Sequence, residues 1–279
     1  MIRYRPAAPL DRHVQFFWWS QRDAPQDYCE HILPSGGVQL LFALHETPIV
    51  CLPSTPSARR MEWSGSVVHG PQWSCYVAGP KPAGAVVGVA FRPGAAGAVL
   101  GVATPDLADH HVTLGALWGK RGQELHERLM AAVDPMEVFR ILEQNLSARI
   151  QRPLLMHPAV AHAFRSCSPT WSPARITDVQ REAGYSPKHF IALFRAAVGL
   201  TPKHYYRIQR FNSVLRCIAS GGDCTLADIA TSVGYSDQAH LTREFREFAG
   251  FTPTQYRPAG SDRPLHHKAT EGLGPITGK

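Results

Sequence analysis

The sequence predicts an α+β N-terminal domain, rich in strands and containing helices, followed by an all-α C-terminal domain with two tandem helix-turn-helix units. Three observations predict this division: short apolar runs between Pro and Gly residues in the first half, a motif that occurs twice in the second half, and an uneven charge. Residues 1–150 contain 13 basic and 13 acidic side chains, whereas residues 151–279 contain 16 and 9 and so carry the whole net charge of +7. A basic half of this kind is typical of a domain that binds a polyanion.

The first domain is expected to combine strands with amphipathic helices. Short apolar runs with Pro or Gly at their ends predict strands at residues 38–44, 66–69, 75–78 and 85–91. Helical spacing follows at residues 114–118, 124–133 and 135–150. The apolar side chains of the last helix recur at three- and four-residue steps at Met136, Phe139, Leu142, Leu146 and Ile150. This face either packs within its own domain or pairs with a second copy of the chain.

The domain boundary is expected near residues 151–158. Segments rich in helix breakers, at residues 151–157 and 166–173, lie on either side of a short helix at 159–165. We therefore expect an N-terminal sensing or dimerisation domain over 1–152 and a second domain over 157–258. Residues 259–279 have few large apolar side chains and much Pro and Gly, which predicts a disordered tail.

The second half contains an internal repeat. The segment from Ile176 to Ser186 matches the segment from Leu226 to Ser236 at an offset of 50 residues, including the sequence Gly-Tyr-Ser at the end of each. Downstream the offset is 51, because the second copy has one extra residue. There Phe-Arg, Gly and Thr-Pro recur at the same spacing. So many spaced matches indicate two copies of one supersecondary unit.

Each copy has the residue order of a helix-turn-helix. Gly184 and Gly234 follow a short first helix, where a left-handed backbone ends the helix at little steric cost. Ser186 and Ser236 are expected to cap the second helices, which run to about residues 198 and 249. Thr201 begins a connecting helix to about residue 219, roughly 27 Å long, which is comparable to one DNA turn of ~34 Å.

The outward faces of the two second helices are the predicted DNA-binding surface. With the Ser before each helix, their residues are Ser186, Lys188, His189, Ile191, Ala192 and Arg195 in the first copy, and Ser236, Gln238, Ala239, Thr242, Arg243 and Arg246 in the second. Arg reaches guanine edges and phosphates, Gln reaches adenine, and Thr contacts phosphate or a thymine methyl group. A single basic residue is usually part of a solvated helix face, but repetition at equivalent positions favours DNA binding.

Residues 157–258 resemble the DNA-binding domain of the AraC/XylS family of bacterial regulators. The motifs that carry the resemblance are GYSPKHFIALFRAAVGLTPKHYYR and GYSDQAHLTREFREFAGFTPTQYRP. The segments HILPSGGVQLLF and GVAFRPGAAGAVLGV are similar to the N-terminal domain of one subgroup of these regulators. The resemblance implies seven helices, two units in successive major-groove segments, and operator-specific control of promoters. Double-stranded promoter DNA is the implied partner; RNA polymerase, a small-molecule effector and a homodimeric partner are further partners to test.

Two positions depart from the family pattern. The family usually has Arg where this chain has Ala192, and it favours a small residue where this chain has Gln180. The second copy keeps a small residue, Ala230, at the equivalent of Gln180. These departures suggest the hypothesis that the second unit carries more of the base readout.

Other classes of function find little support in the sequence. The six Cys residues form no CxxC pair, and the 14 His residues show no HxH, HExxH or Cys/His ligand spacing. No hydrolase elbow, phosphate loop or dinucleotide fingerprint is present. We therefore expect no catalytic residue, metal or cofactor. Two alternatives for residues 1–150 stay open, namely an enzyme fused to the DNA-binding domain and a domain that binds only protein.

Two further expectations concern the cellular location of the protein and the role of its aromatic residues. The N-terminus lacks the apolar stretch of a signal peptide, and residues 83–102 are interrupted by Arg-Pro-Gly, so we expect a cytoplasmic protein with no membrane partner. Aromatic side chains of the first domain either line a small-molecule pocket or belong to the core and half-exposed strands. These residues are Phe16, Phe17, Trp18, Trp19, Trp63 and Trp73.

Overall fold

The computed structural model describes residues 1–52, 60–150, 156–166, 173–182, 184–221 and 224–268. Its strands are β1 (Ile2–Tyr4), β2 (Val14–Arg22), β3 (Glu30–Ile32), β4 (Gln39–Leu44), β5 (Ile49–Leu52), β6 (Met61–Trp63), β7 (Ser66–His69), β8 (Tyr76–Ala78), β9 (Gly84–Phe91), β10 (His111–Thr113) and β11 (His266–Lys268). Its α-helices are α1 (Ala96–Leu100), α2 (Leu114–Trp118), α3 (Lys120–Met130), α4 (Pro135–Ala148), α5 (Pro158–Ser166), α6 (Pro173–Glu182), α7 (Pro187–Val198), α8 (Pro202–Ala219), α9 (Leu226–Ser232) and α10 (Gln238–Ala249). The predicted fold class, strands with helices followed by helices, is confirmed.

The strands form two antiparallel sheets. One has the order β1-β2-β9-β4-β7-β10 and the other has the order β11-β3-β8-β5-β6. Side chains of β2 alternate between the two faces of its sheet, as the period of two requires. Phe17 is fully buried and stacks on Phe139 of α4 at 6.1 Å, whereas Phe16 and Trp18 point to the opposite face, toward the second sheet.

The apolar face of α4 packs within its own domain. Asp134 caps the helix by accepting hydrogen bonds from the backbone N–H groups of Met136 and Glu137 at 2.7 and 2.9 Å. Phe139 and Leu142 are fully buried in the core of the N-terminal domain. Most of the predicted face therefore packs against the first domain, whereas Met136 is 55% exposed.

The C-terminal domain is helical around an aromatic core. Phe190, Phe194, Phe211 and Phe245 are buried there with little or no exposed surface. The connecting helix α8 has the predicted bounds, and Thr201 caps it by accepting a hydrogen bond from the backbone N–H of residue 204 at 3.3 Å. Its side chains contribute to both halves of the core, so α8 holds the two units to each other.

The predicted disordered tail is wrong for residues 259–268. There β11 pairs with β3 of the N-terminal domain, in the register His267 opposite His31. The ring of His267 is fully buried and lies 4.2 Å from the ring of Phe251. Composition missed this strand because its stability comes from backbone pairing and contacts with distant aromatic rings, which a count of apolar residues does not detect. Residues 269–279 lie outside the described residues.

The N-terminal domain packs directly against the helices of the C-terminal domain. The backbone carbonyl of Ser35 accepts hydrogen bonds from the side chains of Gln209 and Asn212 at 3.0 and 3.2 Å. At a second contact, a Cβ on Gly199 would lie 2.8 Å from Pro71, and the φ of Gly199 is +84°. Both the backbone conformation and the close approach therefore require Gly where α7 ends.

Candidate nucleic-acid interface

The first helix-turn-helix unit consists of α6 and α7. Between them Gly184 has a φ of +70°, the left-handed conformation that the sequence predicts for this turn. Ser186 caps α7 by accepting a hydrogen bond from the backbone N–H of His189 at 3.3 Å, as predicted. Val179 of α6 is buried as expected, whereas Ala183, its predicted neighbour on the inner face, lies outside the described residues.

The second unit consists of α9 and α10, and its cap differs from the prediction. Thr225 and Asp228 form a reciprocal capping box at the start of α9, and Gly234 in the turn has a φ of +85°. At α10 the capping residue is Asp237 rather than Ser236. Asp237 accepts a hydrogen bond from the backbone N–H of residue 240 at 2.7 Å. The extra residue of this copy moves the helix start by one position, so the Asp237 carboxylate takes the place expected for the Ser236 hydroxyl.

The inner faces of both second helices are buried as the repeat predicts. Phe190 and Phe194 of α7 have no exposed surface, and Leu241 and Phe245 of α10 have at most 1%. Because an α-helix has two opposite faces, this burial fixes which side chains project outward.

The predicted DNA-binding residues lie on the outer faces. Eleven of the twelve are exposed, and Thr242 is half-buried. The Thr242 hydroxyl donates a hydrogen bond to the backbone carbonyl of Gln238 at 2.9 Å. The side chains of Lys188, Arg195 and Arg246 form no hydrogen bond or ion pair with any described residue. Their charges are thus free to meet the phosphates of a nucleic acid.

A carboxylate adds a local negative charge to the second unit. Hydrogen bonds, first from the backbone of His240 and then from the hydroxyl of Ser236, lower the pKa of Asp237, and the charge of Arg243 contributes. Asp237 therefore stays ionised at the N-terminus of α10. The corresponding cap of the first unit, Ser186, is neutral, so only the second unit satisfies its helix end with an anion.

A buried ion-pair cluster, which was not predicted from the sequence, fixes α10 against α8. The carboxylate of Glu244 is 4% exposed and accepts hydrogen bonds from Arg210 at 2.8 and 2.9 Å, Arg207 at 2.7 Å and the Tyr235 hydroxyl at 2.7 Å. Burial alone would raise the pKa of Glu244, but these partners outweigh it and lower the pKa. A charged residue among the buried positions of an amphipathic helix requires such partners, and that position was the available signal.

The N-terminal domain contains a pocket between its two sheets. The cavity has a volume of about 320 Å³, and Phe16 and Trp18 are among the residues that line it. Trp63 instead packs on His111 at 5.1 Å, and Trp73 is 41% exposed on the surface. Of the six aromatic residues considered from the sequence, Phe16 and Trp18 therefore line the pocket, whereas Phe17, Trp19, Trp63 and Trp73 do not.

Two kinds of feature, a membrane-spanning helix and a cluster of metal ligands, are absent from the described residues. None of the helices there is both long and apolar enough to cross a membrane. Within the same residues, His, Cys, Asp and Glu side chains form no group of three or more that could hold a metal ion.

Comparison with known proteins identifies the C-terminal domain. Residues 179–259 match a family model described as a helix-turn-helix domain, and residues 2–113 match one described as a domain of unknown function, DUF6597. A transcription regulator of Streptomyces lividans described as AraC-like is 34% identical over 107 residues, which cover 37% of this chain and 34% of that protein. The C-terminal domain belongs to the AraC/XylS family.

Two further comparisons differ in extent. The melibiose operon regulatory protein of Escherichia coli K12 is 28% identical over 88 residues, which cover 32% of this chain and 29% of that protein. The chain thus covers about a third of the length of these curated relatives. A crystal structure of ToxT from Vibrio cholerae aligns with a TM-score of 0.44 and 9% identity over 85% of this chain and 95% of that one.

Proposed function

We propose that the chain is a cytoplasmic, effector-responsive transcription regulator that binds promoter DNA through both helix-turn-helix units. The observation that carries this proposal is the pair of second helices, α7 and α10. Each buries an apolar face and leaves an outer face with exposed basic residues, of which Arg195 and Arg246 are at equivalent positions of the repeat. In this proposal residues 1–152 form the sensing or dimerising domain and residues 157–258 form the DNA-binding domain.

The exposed residues suggest a division between phosphate contacts and base contacts. Lys188 and Arg246 neutralise phosphates, because their charges are unpaired among the described residues. Gln238 and Arg243 near the start of α10 read base edges, since the N-terminal part of a recognition helix enters the major groove. Arg195 is assigned a phosphate contact as well, because it is the equivalent of Arg246 at the offset of 51 residues.

The second unit is proposed to carry more of the base readout. At the offset of 51 residues, Ala192 stands where the second unit has Arg243. A methyl group offers only an apolar contact with thymine, whereas a guanidinium reads guanine with two hydrogen bonds. The two units also differ where their helices cross. Ala230 is fully buried at this crossing in the second unit, whereas the first unit has the half-buried Gln180 at the equivalent position.

The N-terminal pocket supports the effector-responsive part of the proposal. Its volume of about 320 Å³ is at the lower end of ordinary small-molecule sites, and both sheets contribute to its walls. Contacts with RNA polymerase and formation of a homodimer stay predictions.

Selection of bound sequences from a random double-stranded DNA library tests the proposal with the full chain. We expect an enriched site with two conserved blocks about one helical turn apart, because two recognition helices on one DNA face read successive major-groove segments. Enrichment of no sequence, or of a site that is equally enriched when both Arg195 and Arg243 are replaced by Ala, would overturn the proposal.

A further inference from the structure

Part of the pocket between the sheets is lined by apolar side chains. On β2 these are two residues apart, because alternate side chains of a strand point to the same face. Phe16 and Trp18 of β2 and Leu41 of β4 line it from the larger sheet, and Ile49 and Ala78 line it from the smaller one. These side chains suit an aromatic or branched apolar body, because they present flat rings and methyl groups on opposite walls.

Four Lys and Arg side chains line the pocket, and two of them, Lys81 and Arg263, share one carboxylate. Glu30 has no exposed side-chain surface, and its Oε2 atom contacts Lys81, Arg263 at 2.9 Å and His266 at 2.9 Å. Burial would raise the pKa of Glu30, but hydrogen bonds and charges from His266 and Lys81 lower it well below its usual range. Glu30 is therefore ionised, and its carboxylate already contacts Lys81, Arg263 and His266.

Arg22, at the end of β2, forms no ion pair with this carboxylate. Its half-buried guanidinium lines the pocket and forms no hydrogen bond or ion pair with any described residue. Burial lowers the pKa of Arg22, and the charge of nearby Arg263 lowers it further. A partly desolvated guanidinium of this kind gains most from a bound anion, which supplies charge-assisted hydrogen bonds that the protein does not.

We propose that this pocket binds an organic anion, whose acidic group contacts Arg22 and whose apolar body lies between Phe16, Trp18 and Leu41. This assignment rests on the proposed effector-responsive function, because it names the chemical class of the effector. Arg3 adds to the positive field at the pocket, with its guanidinium 5.1 Å from the centre of the Phe16 ring.

The segment that follows the second helix-turn-helix unit forms one wall of this site. Pro264 and Leu265 line the pocket, and the carbonyl of Leu265 accepts a hydrogen bond from the backbone N–H of Leu33 at 2.8 Å. The hydroxyl of Tyr256 donates a hydrogen bond to the carbonyl of Pro264, and the Tyr256 ring lies 5.9 Å from Phe245 of α10. An anion in the pocket thus touches a segment that is continuous with the recognition helix of the second unit. These contacts link the site structurally to α10.

A pair of fluorescent probes tests the charge preference of the pocket in the full chain. Anilinonaphthalene sulfonate is an aromatic anion, and phenylnaphthylamine has the same rings without the sulfonate. We expect Arg22→Gln to weaken binding of the anionic probe about tenfold, as loss of a hydrogen bond between charged groups requires, and to change binding of the neutral probe less than about twofold. Arg22→Lys keeps the charge and should retain part of the affinity.

The matched control is Arg140→Gln, which removes an exposed Arg of α4 that is not among the lining residues of the pocket. It should leave the affinities of both probes unchanged. Equal loss of both probes in Arg22→Gln, or an anionic probe that is insensitive to Arg22, would overturn the assignment. Circular dichroism of each variant separates these results from misfolding. The DNA-binding proposal is tested separately by sequence selection, so the two fail independently.

Discussion

The two helix-turn-helix units share a fold but differ in how their recognition helices are held and charged. In the second unit the buried Glu244 joins α10 to α8 through Arg207 and Arg210, whereas the first unit has the partly buried Leu193 at the equivalent position. The caps differ as well, a carboxylate in one and a hydroxyl in the other. A repeated motif thus preserves the helices and the turn, while each copy acquires its own means of attachment. Substitutions can test whether these differences matter.

The largest loss of folding stability is expected from Glu244→Gln. This change leaves the buried Arg210, which is 7% exposed, without its ionic partner, and removal of one member of a buried pair costs about 3 kcal/mol or more. Urea unfolding of the full chain measures the loss. Glu247→Gln is the matched control, because the Glu247 side chain is 58% exposed and its pairing with Arg207 is worth less than about 1 kcal/mol. Equal losses in both variants would show that the cluster does not distinguish the second unit.

A smaller effect on folding stability is expected from protonation of His31, at the contact between the second unit and the N-terminal domain. His31 is buried against Phe251, and burial, followed by the charge of His267, lowers its pKa to about 4. The unfolded side chain titrates near about pH 6.5, so the unfolded chain binds the extra proton between about pH 6.5 and about pH 4. Folding stability therefore falls as the pH drops through this window.

Urea unfolding at about pH 7.5 and about pH 5.5 measures this pH dependence. The parent chain should lose about 1 kcal/mol more stability on acidification than His31→Gln does. His189→Gln, which alters an exposed ring on the first unit, should behave like the parent chain. A pH dependence that persists unchanged in His31→Gln would assign it to other buried His residues.

The smallest effect is expected from exchanging the caps. Asp237→Ser removes a negative charge from the DNA-facing end of α10, and should raise affinity for non-specific duplex DNA about threefold at low salt. Ser186→Asp places that charge on the first unit and should lower affinity by a similar factor. Fluorescence anisotropy at two salt concentrations measures both, and the differences should shrink at high salt because the charges are exposed. A change in the same direction for both variants would contradict this explanation.

Local patterns predicted the elements, while the contacts between distant segments escaped prediction. The strand at residues 66–69, the helix at 114–118 and the connecting helix α8 occur where periodicity, Gly and capping residues placed them. The pairing of β11 with β3 and the partners of Glu244 depend on residues far apart in the chain, which no local pattern encodes. The same limit applies to the candidate site: the repeat predicted its exposed faces, but one extra residue moved a cap from Ser236 to Asp237.

In our proposal the two units bind DNA unequally, with the second unit reading more of the sequence. This inequality can be measured by the binding of Arg243→Ala and Arg195→Ala to the selected site and to versions of that site with single base changes. We expect Arg243→Ala to relax the preference at its contacted base by about 1–3 kcal/mol, whereas Arg195→Ala weakens binding more evenly across sequences. If Arg195→Ala relaxes sequence preference and Arg243→Ala does not, the claim is wrong.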